Sequence, residues 1–457
     1  MKADPHMHNS IYTRFLVARL FVVLALVLAA GAAFAQGSLK SEVPTIDIKN
    51  GTATATPIVV VPFHFEGATL PPETDVADVI ANDMNRCGQF RALPKSDIVE
   101  SPTRGSEIKY ATWNMLKQAY ILVGREIENP NGDIRVEFEL FDVAKQQPLL
   151  GSGLAISGQR TGMRDVAHQI ADIVYEKITG VRGAFWTRVA YITSTGVGNS
   201  IQYSLMVADS DGFNPQTVVK SREPLMSAAW SPDSRRIAYV SWERGNSSIY
   251  VQEIATGSRE VVSASKGINS APSFSPDGSK LALTLSYGGN PDIYIMDLAG
   301  RSKTQVTKHF AIDTEPTWMA DGQSLIFTSD RSGKPQLYQA PIGGGDATRV
   351  TFSGEYNADP SISWDGKRIA MVQGSGNVYR IAVLDRATGE SKAISPGNLD
   401  EHPSFAPNGS MILYAATEGS RGVLYAVSAD GRVRQRLVLA DGDVREPAWS
   451  PYRQRGQ

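Results

Sequence analysis

A motif recurs at a nearly constant interval through the second half of this chain. Its copies open at six apolar anchors, separated by 44, 44, 44, 43 and 44 residues: Trp230, Phe274, Trp318, Ile362, Phe405 and Trp449. A period in the mid-forties accommodates four short strands and their turns, which is the content of one β-propeller blade. The six anchors therefore predict six blades.

Each copy carries the turn chemistry that a blade needs. In FSPDGSKLALT, Pro276 suits the second position of a type I turn and Gly278 its fourth, and an apolar strand follows. The copy at Trp449 has no second strand after it, whereas RVAYIT from Arg188 reads as a second strand without an anchor. We therefore expect one blade to combine both ends of the repeat region, which closes the ring without a free sheet edge.

A separate domain with mixed patterning precedes the repeats. Residues 57–63 and 119–126 read as strands, and residues 134–143 alternate between apolar and charged side chains. Residues 74–87 and 164–179 have helical spacing, and Gly180 is a typical helix stop. The expected fold is mainly β, with a small α/β domain at residues 56–180 and a six-bladed β-propeller at residues 184–457.

The N-terminus has the features of a cleavable secretory signal. Basic Lys2, Arg14 and Arg19 precede an apolar run that ends before Ala33-Phe34-Ala35. The run is too short to span a membrane, which takes about 20 residues. Residues 1–35 are therefore predicted to be a signal peptide, and the mature protein is expected not to span a membrane. Residues 36–55 are expected to be flexible, or to contain a strand that packs on its own domain or pairs with another protein.

Composition and motif content argue against several functions. Lys and Arg total 45 against 47 for Asp and Glu, a net charge of −2, so no nucleic-acid partner is expected. The six histidines lack paired metal-ligand spacing, and no nucleophile elbow is present. We predict no catalytic residue, cofactor or metal. The stretch Asp209-Ser210-Asp211-Gly212 partly matches a calcium loop, but it lacks the closing Glu, so a β-turn is favoured.

One set of repeat positions is chemically distinct. Three residues before the anchors lie Ser227, Ala271, Glu315, Asp359, His402 and Glu446, and in five copies a proline follows. Because proline suits the first residue of a strand, we expect these ring positions to surround one mouth of the central channel. They are interpreted as solvated loop residues, as a docking surface for a partner, or as acids that share a cation.

Several segments together resemble the TolB family, the periplasmic propeller proteins of the Tol-Pal cell-envelope system. These segments are VVVPF at Val59, EKITGVRGAFWTRVAYI at Glu176, PLMSAAWSPDSRRIAYV at Pro224, TEPTW at Thr314, FTSDRSGKPQLY at Phe327 and PAWSPY at Pro447. The resemblance covers essentially the whole mature chain. It implies a periplasmic, non-enzymatic protein that acts in outer-membrane integrity and cell division.

The resemblance also implies partners and sites. The lipoprotein Pal would bind the propeller mouth, at Asn269, Ala271, Asp313, Thr314, Glu315, Asp359, Glu401 and His402. The periplasmic domain of TolA would bind the N-terminal segment, at Glu42, Val43, Thr45, Ile46, Asp47 and Ile48. Other outer-membrane lipoproteins and bacteriocins are further candidate partners. Two alternatives stay open from the residues alone: a peptidoglycan- or carbohydrate-binding propeller, and an accessory propeller to a peptidase.

Overall fold

The computed structural model describes residues 46–48, 55–437, 439 and 442–454. The predicted signal peptide and most of the segment 36–55 lie outside these described residues. Within the described part of the chain, no helix is both long enough and apolar enough to cross a membrane.

The N-terminal half forms an α/β layer structure. In chain order its elements are β1 (Ile46–Ile48), β2 (Thr56–Val60), β3 (His64–Glu66), α1 (Val76–Arg86), β4 (Phe90–Ala92), α2 (Tyr110–Met115), β5 (Tyr120–Glu128), β6 (Ile134–Asp142), β7 (Gln147–Leu150), β8 (Ala155–Gly158) and α3 (Met163–Thr179). The sheet has the order β4-β2-β5-β6-β7, with β3 beside β5 and β8 beside β6. Helices α1 and α3 cover one face, and the segment that contains α2 covers the other.

The predicted strands and helices of this half are confirmed within a few residues. The predicted inward positions of β6, Ile134, Val136, Phe138 and Leu140, are all buried. Helix α3 ends at Gly180, whose φ of 75° is the left-handed cap expected of a glycine. The sequence pattern did not predict β3, β4, β7, β8 or α2, because elements of three to six residues are too short to show a period.

The second half is a ring of six four-stranded blades. Its strands are β9 (Arg188–Thr195), β10 (Gln202–Asp209), β11 (Gln216–Ser221), β12 (Leu225–Trp230), β13 (Arg236–Ser241), β14 (Ser248–Glu253), β15 (Arg259–Ser263), β16 (Asn269–Phe274), β17 (Lys280–Leu285), β18 (Asp292–Asp297), β19 (Lys303–Gln305), β20 (Asp313–Trp318), β21 (Ser324–Ser329), β22 (Gln336–Pro341), β23 (Thr348–Arg349), β24 (Tyr356–Ile362), β25 (Arg368–Ser375), β26 (Val378–Asp385), β27 (Ser391–Ala393), β28 (Glu401–Phe405), β29 (Met411–Glu418), β30 (Arg421–Ser428), β31 (Val433–Arg436) and β32 (Asp443–Trp449). Strands β12–β15, β16–β19, β20–β23, β24–β27 and β28–β31 make blades 1 to 5. Each of the six anchors is the last residue of the inner strand of its blade.

The split blade is confirmed. Blade 6 has the order β11-β10-β9-β32, so its inner strand comes from the C-terminal region and its outer three strands precede blade 1. The Trp449 indole donates from Nε1 to Thr187 Oγ1 at 2.8 Å, which fixes the seam beside the inner strand. Strand β32 pairs antiparallel with β9, so the seam supplies the fourth strand of this blade and closes the ring.

Strand β1 adds to the propeller. It pairs antiparallel with β31, the outer strand of blade 5, in the register Ile46 with Gln435 and Ile48 with Val433. Blade 5 thereby becomes a five-stranded sheet. A piece of the N-terminal segment thus covers an outer blade edge that would otherwise offer unpaired backbone groups.

The two halves contact each other closely. Arg86 of α1 donates from Nη2 to Ser210 Oγ at 2.7 Å, in the turn between β10 and β11. Arg453 pairs with Asp165 of α3 at 2.7 Å. At Gly88, φ is 74° and an added Cβ would lie 2.4 Å from Val433 Cγ2, so only glycine permits this approach. The α/β layer therefore packs directly against the face of the propeller that carries the inner hairpin turns.

Candidate docking site at the propeller mouth

The six ring positions share one uncommon backbone conformation. Ser227, Ala271, Glu315, Asp359, His402 and Glu446 have φ between 47° and 56°, in the left-handed region. At each position the pairing between the inner and second strands shifts register, which marks a β-bulge. Non-glycine residues held there cost on the order of 1–3 kcal/mol each, and such strain concentrates at functional sites. The repeat therefore builds six strained bulges around one axis.

The bulge corrects one detail of the sequence analysis. The prolines after the ring positions were expected to be the first residues of the inner strands. Strand β16 instead begins at Asn269 and β20 at Asp313, so Pro272 and Pro316 lie inside them. Proline is tolerated there because the bulge interrupts the ladder, and its missing N–H leaves no gap in the pairing.

Hydrogen bonds join the ring positions of five blades. Glu315 Oε2 accepts from the Asp359 backbone N–H at 3.0 Å, and Glu446 Oε2 accepts from the Ser227 N–H at 3.1 Å. His402 lies between the two acids of neighbouring blades, with Nδ1 2.8 Å from Asp359 Oδ2 and Nε2 3.2 Å from Glu446 Oε1. The side chains thus converge from different blades, as the repeat spacing predicted.

The electrostatics of the ring centre on His402. Burial opposes charging of the imidazole, but Glu446 and Asp359 outweigh that cost and raise the His402 pKa well above its ordinary value. Burial likewise disfavours ionisation of Glu446, yet the His402 cation lowers the pKa of that carboxyl. The ring therefore holds an imidazolium between two carboxylates, which relieves the repulsion among the acids. The idea that the acids share a bound cation stays a prediction.

This arrangement predicts a pH-dependent stability. A raised folded-state pKa gives stability that is complete below the unfolded-state pKa of about 6.5 and is lost as pH rises through the folded-state pKa. We expect the difference in unfolding free energy between wild type and His402→Gln to be largest near about pH 6 and to shrink as pH rises above it. Urea denaturation across this range measures it. His64→Gln, at an exposed histidine, is the control, and a pH-independent difference for His402→Gln would contradict the charged imidazole.

The predicted Pal-facing residues fall into two groups. Thr314, Glu315, Asp359, Glu401 and His402 are partly exposed, and so is Ala271, at the mouth or in the ring. Asn269 and Asp313 are completely buried. The Asn269 amide bonds its own loop, and the Asp313 carboxylate forms a two-point ion pair with Arg331 at 2.7 and 2.9 Å. These two side chains brace the loops in the unbound protein, and their predicted contact with Pal stays a prediction.

An apolar rim that the sequence pattern did not predict surrounds the same mouth. The connections before the inner strands and between second and third strands lie at this end of each blade. Five of their side chains are exposed large apolar groups: Val197, Tyr287, Phe310, Phe352 and Leu399. Phe310 is 86 % exposed and Phe352 78 %. Exposed aromatic groups beside a rigid polar centre are typical of protein docking sites. Only their position in the repeat, in loops at the same end of the blades as the ring residues, could have singled them out.

The α/β layer lies at the opposite end of the propeller. A cavity of about 600 Å³ lies there between α3, which contributes Asp172 and Glu176, and the inner hairpin turns, which contribute Trp364, Pro407 and Pro451. The mouth with the ring residues therefore lies at the end of the propeller away from the α/β layer.

The predicted TolA-facing residues are only partly described. Glu42, Val43 and Thr45 lie outside the described residues. Ile46, Asp47 and Ile48 form β1, whose backbone pairs with β31. The expected strand therefore exists, and it pairs within its own chain.

Comparison with known proteins shows which family the chain resembles. Two family models match, the TolB beta propeller domain at residues 175–453 and the TolB amino-terminal domain at residues 44–149. The Tol-Pal system protein TolB of Xanthomonas campestris pv. campestris (strain B100) is 64% identical over 411 residues, which are 90% of this chain and 93% of the relative. The same values hold for the relative from Xanthomonas oryzae pv. oryzae (strain PXO99A).

A solved structure agrees with these matches. The crystal structure of TolB from Acinetobacter baumannii aligns with a TM-score of 0.81 at 39% identity, and covers 89% of this chain and 99% of that one. Two domain models, close relatives and a solved structure therefore agree over most of the length. The chain belongs to the TolB family of the Tol-Pal system.

Proposed function

We propose that this protein is a non-enzymatic periplasmic adaptor that binds the lipoprotein Pal at the propeller mouth and TolA through its N-terminal segment. It would thereby support outer-membrane integrity and constriction during cell division. The observation that carries the proposal is the repeated left-handed bulge, which holds six side chains inside the open mouth. Membership in a family named for the Tol-Pal system supports the choice of partners.

The geometry of the mouth suits a protein loop better than a small substrate. The ring offers acceptors and one imidazolium at its centre, and exposed Phe310 and Phe352 stand around it. Apolar anchors around a polar centre are the usual anatomy of a protein interface. The closed ring is rigid, so a partner loop that enters it orders little of this protein and loses little free energy.

Replacing one rim aromatic group tests the Pal arm. Phe310→Ser removes an exposed ring that would be buried by a partner, so we expect affinity for a soluble Pal domain to fall about 30-fold, or about 2 kcal/mol. Calorimetric titration measures it. Leu70→Ser, with a similarly exposed side chain in the α/β layer, is the matched control. Equal affinities of the two variants would argue against the rim as part of the interface.

The N-terminal strand suits a switch. If another protein's sheet pairs with the backbone groups of β1 that now pair with β31, the segment must leave blade 5 to bind that protein. In that case the segment pairs either with β31 of its own blade 5 or with the partner's sheet. The same backbone groups cannot pair with both at once. If Pal binding favours one of these states, the Pal and TolA sites are coupled.

Deleting the segment tests the TolA arm and the coupling. A chain that starts at Ala55 lacks β1, so we expect TolA binding to be weakened at least about tenfold and Pal affinity to change by about five- to tenfold. Binding assays with each purified partner domain measure both. A truncated protein that binds Pal with unchanged affinity would rule out coupling through this segment, while unchanged TolA binding would remove the segment as its site.

A further inference from the structure

A buried ionisable cluster lies at the seam between the two halves, away from the mouth. His168 comes from α3, Asp209 is the last residue of β10, and Asp211 lies in the turn that follows it. One donor atom from each of these residues lies within 4.8 Å of the others. The predicted β-turn at Asp209 is confirmed, since the Gly212 N–H donates to the Asp209 carbonyl at 2.8 Å. The fold thus joins residues that are more than forty positions apart in sequence.

The imidazole of His168 is oriented as a ligand would be. Its side chain is 1% exposed, and Nδ1 lies 2.7 Å from Asp83 Oδ2. Its other nitrogen, Nε2, is buried and has no hydrogen-bond partner among the residues that the structure describes. A metal-binding histidine characteristically has a carboxylate on one imidazole nitrogen, which fixes the tautomer and raises ligand basicity, and leaves the other nitrogen to bind the metal.

Arg164 supplies positive charge beside the same two acids. Its Nη2 lies 2.5 Å from Asp211 Oδ2, and its Nε lies 3.5 Å from Asp209 Oδ2. The guanidinium also stacks over the Phe213 ring, 3.9 Å from the centroid. Its contacts are to one oxygen of each carboxylate, and the Asp211 Oδ1 atom accepts from the Phe213 N–H at 3.1 Å. The arginine therefore holds the two acids together next to the histidine, and the Phe213 ring can retain it if a cation enters.

We infer that His168 Nε2 and the carboxylates of Asp209 and Asp211 form a binding site for a divalent transition metal, Zn²⁺ in particular, that links the α/β layer to blade 6. One imidazole nitrogen with two carboxylate oxygens suits zinc, whereas calcium and magnesium prefer ligand sets made only of oxygen. Three protein ligands leave a fourth position for water. Small side-chain movements must shorten the present spacing, because zinc holds its ligands at about 2.0–2.2 Å.

The test measures zinc binding by the whole mature chain, residues 36–457. Because His402 and its acids form a second histidine–carboxylate group, every protein carries His402→Gln. Metal-stripped protein is dialysed against Zn²⁺ and its bound metal is quantified, and Co²⁺ is used in parallel for its visible absorption. The variants are Asp209→Asn, which keeps the His168–Asp83 contact, and Arg164→Gln, with His309→Gln as the matched control. Circular dichroism checks that each is folded.

The expected result is one equivalent of Zn²⁺ per chain, together with a higher thermal midpoint in its presence. Asp209→Asn is expected to weaken binding at least about tenfold, since loss of even an outer-shell partner has an effect of that size. Arg164→Gln removes the competing cation and is expected to strengthen binding, a gain that a purely structural role for Arg164 would not give. Protein that takes up no zinc, or binds it equally well with Asp209→Asn, would overturn the assignment.

Discussion

Removing residues 445–457 is expected to unfold the propeller rather than to trim its surface. The deletion takes away most of β32, including the buried Trp449 indole and the bond from the Trp230 indole Nε1 to the Ala448 carbonyl at 3.1 Å. It exposes the inner edge of blade 6 and opens the ring. Burial of one tryptophan alone contributes about 3–5 kcal/mol, which is a large part of the stability of an ordinary domain.

Denaturation by urea measures the loss of stability. A point variant of the same strand gives a smaller loss that can be measured on a folded protein. Trp449→Ala is expected to lower the free energy of unfolding by about 3–5 kcal/mol. Trp364→Ala is the matched control, because that side chain is 60% exposed. A deletion protein that unfolds at the same urea concentration as wild type would show that the seam between the chain ends does not hold the ring closed.

The double variant Glu315→Lys, His402→Ala is expected to lose Pal binding by about a thousandfold, or about 4 kcal/mol. The lysine replaces a carboxylate that accepts from the Thr328 hydroxyl at 2.8 Å and from the Asp359 N–H. The alanine removes the imidazolium between Asp359 and Glu446 and leaves those two acids without the cation between them. Both changes alter the centre of the mouth, where an inserted loop would be fully desolvated.

Calorimetric titration with a soluble Pal domain checks this loss. The matched control is Glu260→Lys, His64→Ala, which makes the same chemical changes at an outer strand of blade 1 and at an exposed position of β3. Circular dichroism establishes that both double variants are folded. If the ring variant binds Pal as tightly as the control, the ring is not part of the interface.

The fold of the second half was largely predictable because the sequence that specifies it repeats at a regular interval. Six anchors at nearly equal spacing determine the number of blades, and the unpaired halves at Arg188 and Trp449 determine the closure. The short elements of the α/β layer were not predictable in the same way. Three-residue strands such as β4 form because neighbouring strands complete their hydrogen bonds, and no local pattern records that.

The position of the ring residues was predictable, but their conformation was not. Spacing alone singled out the ring residues, yet it gave no sign of the left-handed bulge at Glu315 or of the contact between His402 and two acids. The burial of Asn269 and Asp313 depends on loop packing, and the pairing of β1 with blade 5 depends on an edge far along the chain. Metal-ligand motifs could not predict the proximity of His168 to Asp209, because such motifs detect ligands that are close in sequence.

The most direct test of the central claim is the calorimetric titration of residues 36–457 with a purified soluble Pal domain, with Phe310→Ser and the ring double variant in parallel. The proposal predicts saturable binding with one Pal per chain, weakened by Phe310→Ser and nearly lost in the ring variant. A folded wild-type protein that gives no saturable heat, or that binds Pal equally well in all three forms, would contradict the propeller mouth as the Pal-binding site.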